Sequence, residues 1–438
     1  MTMTTRWALG PGFLCALLAA GGALAGCGDD DAPRDAAVDG ALDAGADGGA
    51  DAAVPDPPCR TPLVTGEVFA LDPDGDDTQI HVNAQFDGES VWVVYNKPDP
   101  SGGFDVYGLR LDCDGTARVP PFRINTTDYN DVDPALAVSG DRLLVAWQTD
   151  TGTGVNNMQL PYRVYGVDGQ AVMSADRLLR TRRGGQPVPG NTWLPEVAAL
   201  PNGFAIAGAR ALEDASGLQA FVQRLDDAGE LDGATLDASF FPVSSQSYPT
   251  LASAPDGTLY LAFAQALAPD YNDAVYYTSI APGASQASPL PAVLADQRAA
   301  AAGPDLARGP DGEVYLAFGD ADAEMIVLTD GADFTGGPAV ELGTPNRLDF
   351  SPAVAPATGG GAVAWFRNLA GFQNELRVQS FTYDGTAFTL GTAQNVTAES
   401  VPPYAPTITH IKDDIYFVAW SQGDNPDYRA MGMFLQIP

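Results

Sequence analysis

The chain has 438 residues and carries 56 Asp and Glu against 22 Lys and Arg, so its formal net charge is −34. So acidic a protein repels the phosphate backbone, which excludes nucleic-acid binding. Two histidines and four cysteines argue against a His/Cys zinc site, while 48 Gly and 35 Pro indicate many turns and few long helices.

Residues 1–26 have the layout of an export signal, with Arg6 followed by an apolar stretch. The stretch ends in Leu24-Ala25-Gly26-Cys27, which resembles the lipobox of bacterial lipoproteins. The resemblance implies cleavage before Cys27, acylation of its sulfur and a lipid anchor in the cell envelope. Gly28 after the cysteine is typical of sorting to the outer membrane. An ordinary signal peptide or a transmembrane anchor is the alternative.

The next segment, residues 27–58, is predicted to be a disordered tether behind the lipidated cysteine. After Cys27 it contains nine Asp, many Ala and Gly, and Arg34 as its one cation. Such a composition cannot bury enough apolar surface to offset the entropy of ordering. We therefore expect a spacer that separates a folded domain, residues 59–438, from the membrane.

Residues 59–438 contain a repeat of about 54 residues. Each copy has a proline followed by a short apolar run, a turn rich in Asp and Gly, and a β-rich run that ends at an anchor residue, usually aromatic. The anchors are Tyr95, Trp147, Gly208, Phe263, Phe318, Trp365 and Trp420. In the first copy, His81 takes the place of the proline.

Four antiparallel strands per repeat and seven copies predict an all-β fold, a seven-bladed β-propeller, with a count between six and eight left open. The last copy stops after three strands. Residues 68–81 align without a gap onto residues 121–134, so the N-terminal strand is expected to complete the last blade and close the ring.

This closure predicts a disulfide. Cys59 precedes the closing strand and Cys113 lies in a turn of the adjacent blade, on the same face. An exported compartment is oxidising, so we expect a Cys59–Cys113 bond, with two unpaired thiols as the alternative.

The repeat also resembles one that is common in exported bacterial proteins. The segments that carry the resemblance are Asp105-Val-Tyr-Gly-Leu-Arg-Leu-Asp, Phe122-Arg-Ile-Asn-Thr and the run from Pro134 to Trp147. The resemblance implies an exported, propeller-like module and no particular chemistry.

Catalytic motifs are weak. The run Phe122-Arg-Ile-Asn resembles the arginine motif of sialidases, but Asn125 stands where those enzymes have proline, and their Asp-box is absent. His81 and His410 fall in the innermost strands of the first and last blades, where either channel-lining or structural roles are open. With 56 acidic residues, the sequence cannot single out a catalytic carboxylate pair.

Acidic loops provide a candidate cation site. Clustered Asp oxygens suit Ca²⁺, although turn formation on an acidic surface explains the same residues. The candidate ligands are Asp72, Asp74, Asp76, Asp128 and Asp131.

Tyrosines beside acidic residues suggest a binding face that points away from the membrane, or simply loop anchors. The residues are Tyr129, Asp270, Tyr271, Asp273, Asp427 and Tyr428.

The sequence therefore favours a monomeric, envelope-anchored propeller that binds a protein, peptide or glycan and is not an enzyme. The alternative is a propeller-type glycoside hydrolase or polysaccharide lyase, and a third option is a structural envelope protein. A central funnel with two carboxylates about 5–10 Å apart would favour the enzyme.

Overall fold

The computed structural model describes the domain with gaps. The described residues are 59, 65–73, 78–100, 102–152, 158–180, 182–183, 186–187, 191–211, 217–238, 245–267, 272–285, 292–294, 302–319, 323–328, 336–342, 349–369, 373–397, 406–424 and 427–438. Cys27, Asp74, Asp76, Asp270 and Tyr271 lie outside them. Within these segments the secondary structure is strand, and no helix is long and apolar enough to cross a membrane.

The first half of the chain supplies a short strand and three sheets. The short strand is β1 (Val68–Ala70). Sheet 1 consists of β2 (Ile80–Phe86), β3 (Val91–Asp99), β4 (Gly103–Leu111) and β5 (Ala117–Arg123). Sheet 2 consists of β6 (Asn130–Ser139), β7 (Arg142–Asp150), β8 (Met158–Gln159), β9 (Pro161–Gly166) and β10 (Arg177–Leu178). A separate hairpin consists of β11 (Arg182–Arg183) and β12 (Gln186–Pro187). Sheet 3 consists of β13 (Thr192–Leu200), β14 (Gly203–Ala211), β15 (Leu218–Leu225) and β16 (Leu231–Asp237).

The second half supplies the remaining sheets. Sheet 4 consists of β17 (Ser245–Ser253), β18 (Leu259–Leu267), β19 (Asn272–Ile280) and β20 (Ala292–Leu294). Sheet 5 consists of β21 (Ala302–Arg308), β22 (Val314–Gly319), β23 (Ala323–Leu328) and β24 (Gly336–Glu341). Sheet 6 consists of β25 (Asp349–Ala357), β26 (Gly360–Leu369), β27 (Gln373–Tyr383), β28 (Phe388–Leu390) and β29 (Gln394–Asn395). Sheet 7 consists of β30 (Thr407–Lys412), β31 (Ile415–Asp424) and β32 (Asp427–Gln436), together with β1.

These sheets form a β-propeller of four-stranded antiparallel blades. Six sheets are built from consecutive strands of the chain, and sheet 7 combines the first described strand, β1, with the last three, β30 to β32. The predicted closure is confirmed, because Val68 pairs with Met433 and Ala70 with Met431. The predicted disulfide is confirmed as well: Cys59 and Cys113 are bonded, with Cα atoms 5.7 Å apart.

The core lies between neighbouring sheets. Apolar clusters join sheet 3 to sheet 4 and sheet 4 to sheet 5, and similar clusters join the other neighbours. The anchor residues of the repeat lie buried on the second strands. Gly208 replaces the aromatic anchor because Leu160 and Phe221 fill that space: a Cβ there would lie 2.7 and 2.9 Å from their side chains.

The repeated proline marks a β-bulge on the first strand. In sheets 1 to 6 the register of the first strand shifts at this point. Because a bulge leaves a residue unpaired, it tolerates proline, which has no N–H to donate. The residue before the proline takes a positive φ in most copies, for example 53° at Asp133 and 51° at Ser351.

This bulge corrects the sequence alignment by one residue. His81, with φ 54°, occupies the bulge position of Asp133, so Val82 rather than His81 stands where the other copies have proline. Phe69 still matches Phe122, since each pairs with a glycine of the neighbouring strand. The gapless alignment was therefore wrong beyond Asp72, because the intervening loop is one residue longer than its counterpart.

Candidate active site in the central cavity

The first strands of the sheets surround a central cavity of about 1000 Å³. Residues from β2, β6, β13, β17, β21, β25 and β30 line it. One group of lining residues comes from the bulges, and we call it the bulge ring: His81, Asp133, Leu194, Tyr248, Gly303 and Ser351. The same β-bulge therefore recurs around the cavity, and the side chain at the bulge differs from one sheet to the next.

Two carboxylates line the cavity directly after the proline of their repeats. Glu196 follows Pro195 on β13, and Asp305 follows Pro304 on β21. At the same position Thr250 accepts a hydrogen bond from the Leu306 N–H at 2.9 Å, and Asp305 accepts one from the Val354 N–H at 2.7 Å. The side chain after the proline therefore joins the first strand of one sheet to the first strand of the next by a hydrogen bond. The hydroxyl of Thr250 is sufficient to accept such a bond, so a carboxylate is not required for it.

The two carboxylates differ in protonation. Burial, together with the nearby charge of Asp305, raises the pKa of Glu196 to about 8. Burial also raises the pKa of Asp305, but hydrogen bonds from the Val354 and Leu306 N–H groups and from Thr250 oppose the effect, and its pKa is about 6. Near neutral pH, Glu196 is mainly protonated and Asp305 mainly ionised. Such a separation provides one protonated and one ionised carboxyl group in the same cavity.

The histidines lie at opposite ends of the first strands. His81 is in the bulge ring, where its Nδ1 lies 2.5 Å from Oδ1 of Asp133 in the neighbouring sheet. His410 is near the other end of β30, with its Nε2 3.0 Å from the Asp413 carbonyl oxygen and its ring 5.1 Å from that of Tyr416. Both contribute to the lining, but they cannot act on one bond together.

The described candidate calcium ligands are engaged within the fold. Asp72 is buried, where it binds Lys97 at 3.2 Å and accepts a hydrogen bond from the Tyr95 hydroxyl at 3.0 Å. Asp131 accepts a hydrogen bond from the Asn125 amide at 2.6 Å. Asp128 pairs with Arg123 at 3.1 Å. In the segments that the structure describes, no group of three or more His, Cys, Asp or Glu is arranged to hold a metal ion.

Burial raises the pKa of Asp131 to about 6, against hydrogen bonds from Thr149, Trp147 and Asn125 that lower it. This carboxylate lies between sheets 1 and 2, where Asn96 also donates to its backbone oxygen at 2.9 Å. The contacts explain a structural role. The predicted calcium site gains no support from its described members.

The predicted binding face is dispersed. Tyr129 is 45% exposed in the loop between β5 and β6. Asp427 and Tyr428 begin β32, and Asp273 pairs with Ala266 in sheet 4. Of the described members, none is part of the cavity lining. Their binding role stays a prediction.

Sequence reasoning did not single out Glu196, Asp305 or Tyr248. These residues flank the proline of the repeat, and that part of the repeat was interpreted as a feature of the fold. A signal was present in the sequence: the residue after the proline is Ala135, Thr250, Ala353 or Thr407 in other copies, so an acid in two copies departs from the repeat. The residue before the proline varies even more.

The comparisons with known proteins show the fold. No protein-family model and no curated protein sequence matches the chain. A protein of unknown function from Dyadobacter fermentans has a similar structure, with a TM-score of 0.51 and 12% identity over 86% of this chain and 99% of its own. An ulvan lyase, a polysaccharide lyase, has a TM-score of 0.53 and 13% identity over 83% of this chain and 94% of its own. At these identities the chain shares with them the β-propeller fold.

Proposed function

We propose that the protein is a glycoside hydrolase whose active site is the central cavity. The observation that carries the proposal is the pair Glu196 and Asp305, two carboxyl groups that line the same cavity and have pKa values of about 8 and about 6. Hydrolysis of a glycosidic bond uses one protonated and one ionised carboxyl group. The ulvan lyase provides a polysaccharide-acting enzyme on this fold, which supports carbohydrate as the substrate class.

In the proposed reaction, Glu196 donates its proton to the glycosidic oxygen as the bond to the anomeric carbon breaks. Asp305 either accepts a proton from the attacking water or attacks the anomeric carbon itself. The separation of the carboxyl groups decides between inversion and retention, with about 5 Å for retention and roughly 6.5–9.5 Å for inversion. Hydrogen bonds from Val354 and Thr250 hold the Asp305 carboxylate in place.

We propose a closed ring of seven blades around this site. Sheets 1 to 6 and the closing sheet 7 each contribute a first strand to the cavity lining, which supports that number. The residues of the pair then belong to sheets 3 and 5, separated by sheet 4.

We propose an exported, lipid-anchored protein that acts on a polysaccharide outside the cytoplasm. The lipobox-like run ending at Cys27 and the acidic tether support this location, and the Cys59–Cys113 bond suits an oxidising compartment. The anchor would keep the enzyme at the cell envelope beside its substrate.

The test is release of reducing ends from a panel of polysaccharides by the full chain and its variants. We expect Glu196→Gln and Asp305→Asn each to lower kcat by a factor of about 10² to 10⁴, the usual contribution of a general acid or base. Activity should rise with pH through about 6 and fall through about 8, and each variant should remove one limb. Asp256→Asn, in an exposed hairpin, is the control.

Three outcomes contradict the proposal. Unchanged activity in both variants would remove the pair from catalysis. Unsaturated products, detected by ultraviolet absorbance, would identify a lyase. Glycan binding without turnover by the wild type would instead indicate a binding module.

A further inference from the structure

We infer that Tyr248 is the stacking platform of a sugar subsite that takes an uncharged pyranose ring. The inference rests on the proposed hydrolase function and specifies its substrate class. Tyr248 belongs to the bulge ring, lines the cavity and is 48% exposed. Its φ of 51° is the bulge conformation that most copies share, so the fold sets its position at the cavity.

Gly303 on the neighbouring sheet makes room for Tyr248. A Cβ on Gly303 would lie 2.8 Å from Tyr248 Cβ and 3.2 Å from its Cγ, which is closer than such atoms approach each other. Other copies carry Asp133, Leu194 or Ser351 at this bulge position, so glycine is a departure from the repeat. The tyrosine is therefore supported from beneath by backbone, while half of its surface stays open.

The platform lies between the carboxylates. Sheet 4 carries Tyr248, sheet 3 carries Glu196 and sheet 5 carries Asp305, and buried clusters pack these sheets together in that order. A ring stacked on Tyr248 therefore lies on the first strand between the one that carries Glu196 and the one that carries Asp305. An aromatic face offers apolar contact to the C–H face of a pyranose, and the tyrosine hydroxyl can reach a sugar hydroxyl.

The negative charge of the cavity and of the whole chain favours a sugar ring without a charged group. Near neutral pH the protonated Glu196 adds no charge, and the other carboxyl groups of the lining are those of Asp133 and Asp305. The lining also includes His81, His410 and Arg308, the last at the far end of β21 beside Gly312. The whole chain has a formal net charge of −34, so a uronate or sulfated sugar meets repulsion both on approach and in the site. An uncharged sugar avoids this cost.

Calorimetric titration of the full chain tests the inference. The probes are xylohexaose, cellohexaose, mannohexaose and galactohexaose, with hexagalacturonate as the anionic probe. At least one uncharged probe should bind, and Tyr248→Ala should weaken its binding about tenfold or more, because the stacked surface is lost. Tyr248→Phe should keep affinity within about threefold, since the ring remains. Gly303→Ala should weaken binding by displacing the platform.

Tyr129→Ala is the matched control, because Tyr129 is 45% exposed but lies outside the cavity lining. Equal losses in the Tyr129 and Tyr248 variants would overturn the inference, as would preferential binding of hexagalacturonate or no binding of any uncharged probe. If Glu196→Gln abolishes hydrolysis while Tyr248→Ala leaves KM unchanged, the inference fails and the proposed function stands. Binding that depends on Tyr248 without any hydrolysis would contradict the proposed hydrolase function and leave the inference about Tyr248 standing.

Discussion

Carboxylates in two regions of the propeller have opposite surroundings. In sheet 1 and at its contact with the closing sheet, acids face cations. Asp72, after β1, pairs with Lys97 at 3.2 Å, and Asp87 pairs with Arg110 within sheet 1 at 2.5 Å, with all four side chains largely buried. In the cavity, Glu196 has its pKa raised by burial and by another acid, and no cation contributes to the shift. The first region uses charge pairs to join strands, whereas burial of Glu196 in the second is offset by no cation.

This difference separates structural acids from candidate catalytic ones. Removal of a buried carboxylate beside a cation is destabilising, because it leaves the partner's charge buried and uncompensated. A carboxylate beside another acid holds its proton near neutral pH, at a cost in stability, and such sites favour function over folding. Replacement of acid by amide should therefore have opposite effects on stability in the two regions.

The largest expected effect concerns the covalent bond of the closure region. Cys59→Ser combined with Cys113→Ser should lower the free energy of unfolding by about 4 kcal/mol, because the bond spans 54 residues and restricts the unfolded chain. Urea unfolding of the full chain measures the change. Reduction of the wild type should reproduce it, and an effect below about 1 kcal/mol would show that strand pairing alone closes the ring.

The next effect tests the paired acids. Asp72→Asn should lower the free energy of unfolding by roughly 3 kcal/mol, since it leaves the Lys97 ammonium without its anion in a site where the two side chains are 18% and 6% exposed. Asp141→Asn, whose side chain is 77% exposed beside Arg142, should change it by less than about 0.5 kcal/mol. Equal effects would contradict a structural role for Asp72.

The closure could be predicted from the sequence because it depends on short-range pattern. The repeat places β1 opposite β32 and Cys59 beside Cys113, and both expectations hold in the structure. His81 was misplaced by one residue, because the loop after Asp72 differs in length and leaves no mark in the apolar pattern.

The site could not be predicted, for a physical reason. The apposition of Glu196 and Asp305 arises when strands more than 100 residues apart turn toward one cavity, and burial then sets their pKa values. The pairing of Asp72 with Lys97 is likewise a tertiary contact, which turned a predicted calcium ligand into part of the core. Sequence pattern locates such residues on strands and loops but does not show which charges come to face each other.

The smallest expected change in the free energy of unfolding concerns Glu196, the acid that has no cation beside it. The pKa of Glu196 is about 8 in the folded protein against an ordinary value of 4.5, so the folded state binds more protons than the unfolded state between these values. The free energy of unfolding should therefore fall as the pH rises from about 4.5 to about 8.

Glu196→Gln should remove this part of the pH dependence. At pH 8 the variant should unfold with roughly 2 kcal/mol more free energy than the wild type, about half of what the full pKa difference would give, because Glu196 is only half-buried and solvent screens part of its charge. At pH 4.5 the two should nearly agree, because glutamine has no proton to lose. Urea unfolding at both pH values measures the difference. A variant that is destabilised equally at both would show that Glu196 contributes packing rather than a retained proton, and would remove the contrast with Asp72.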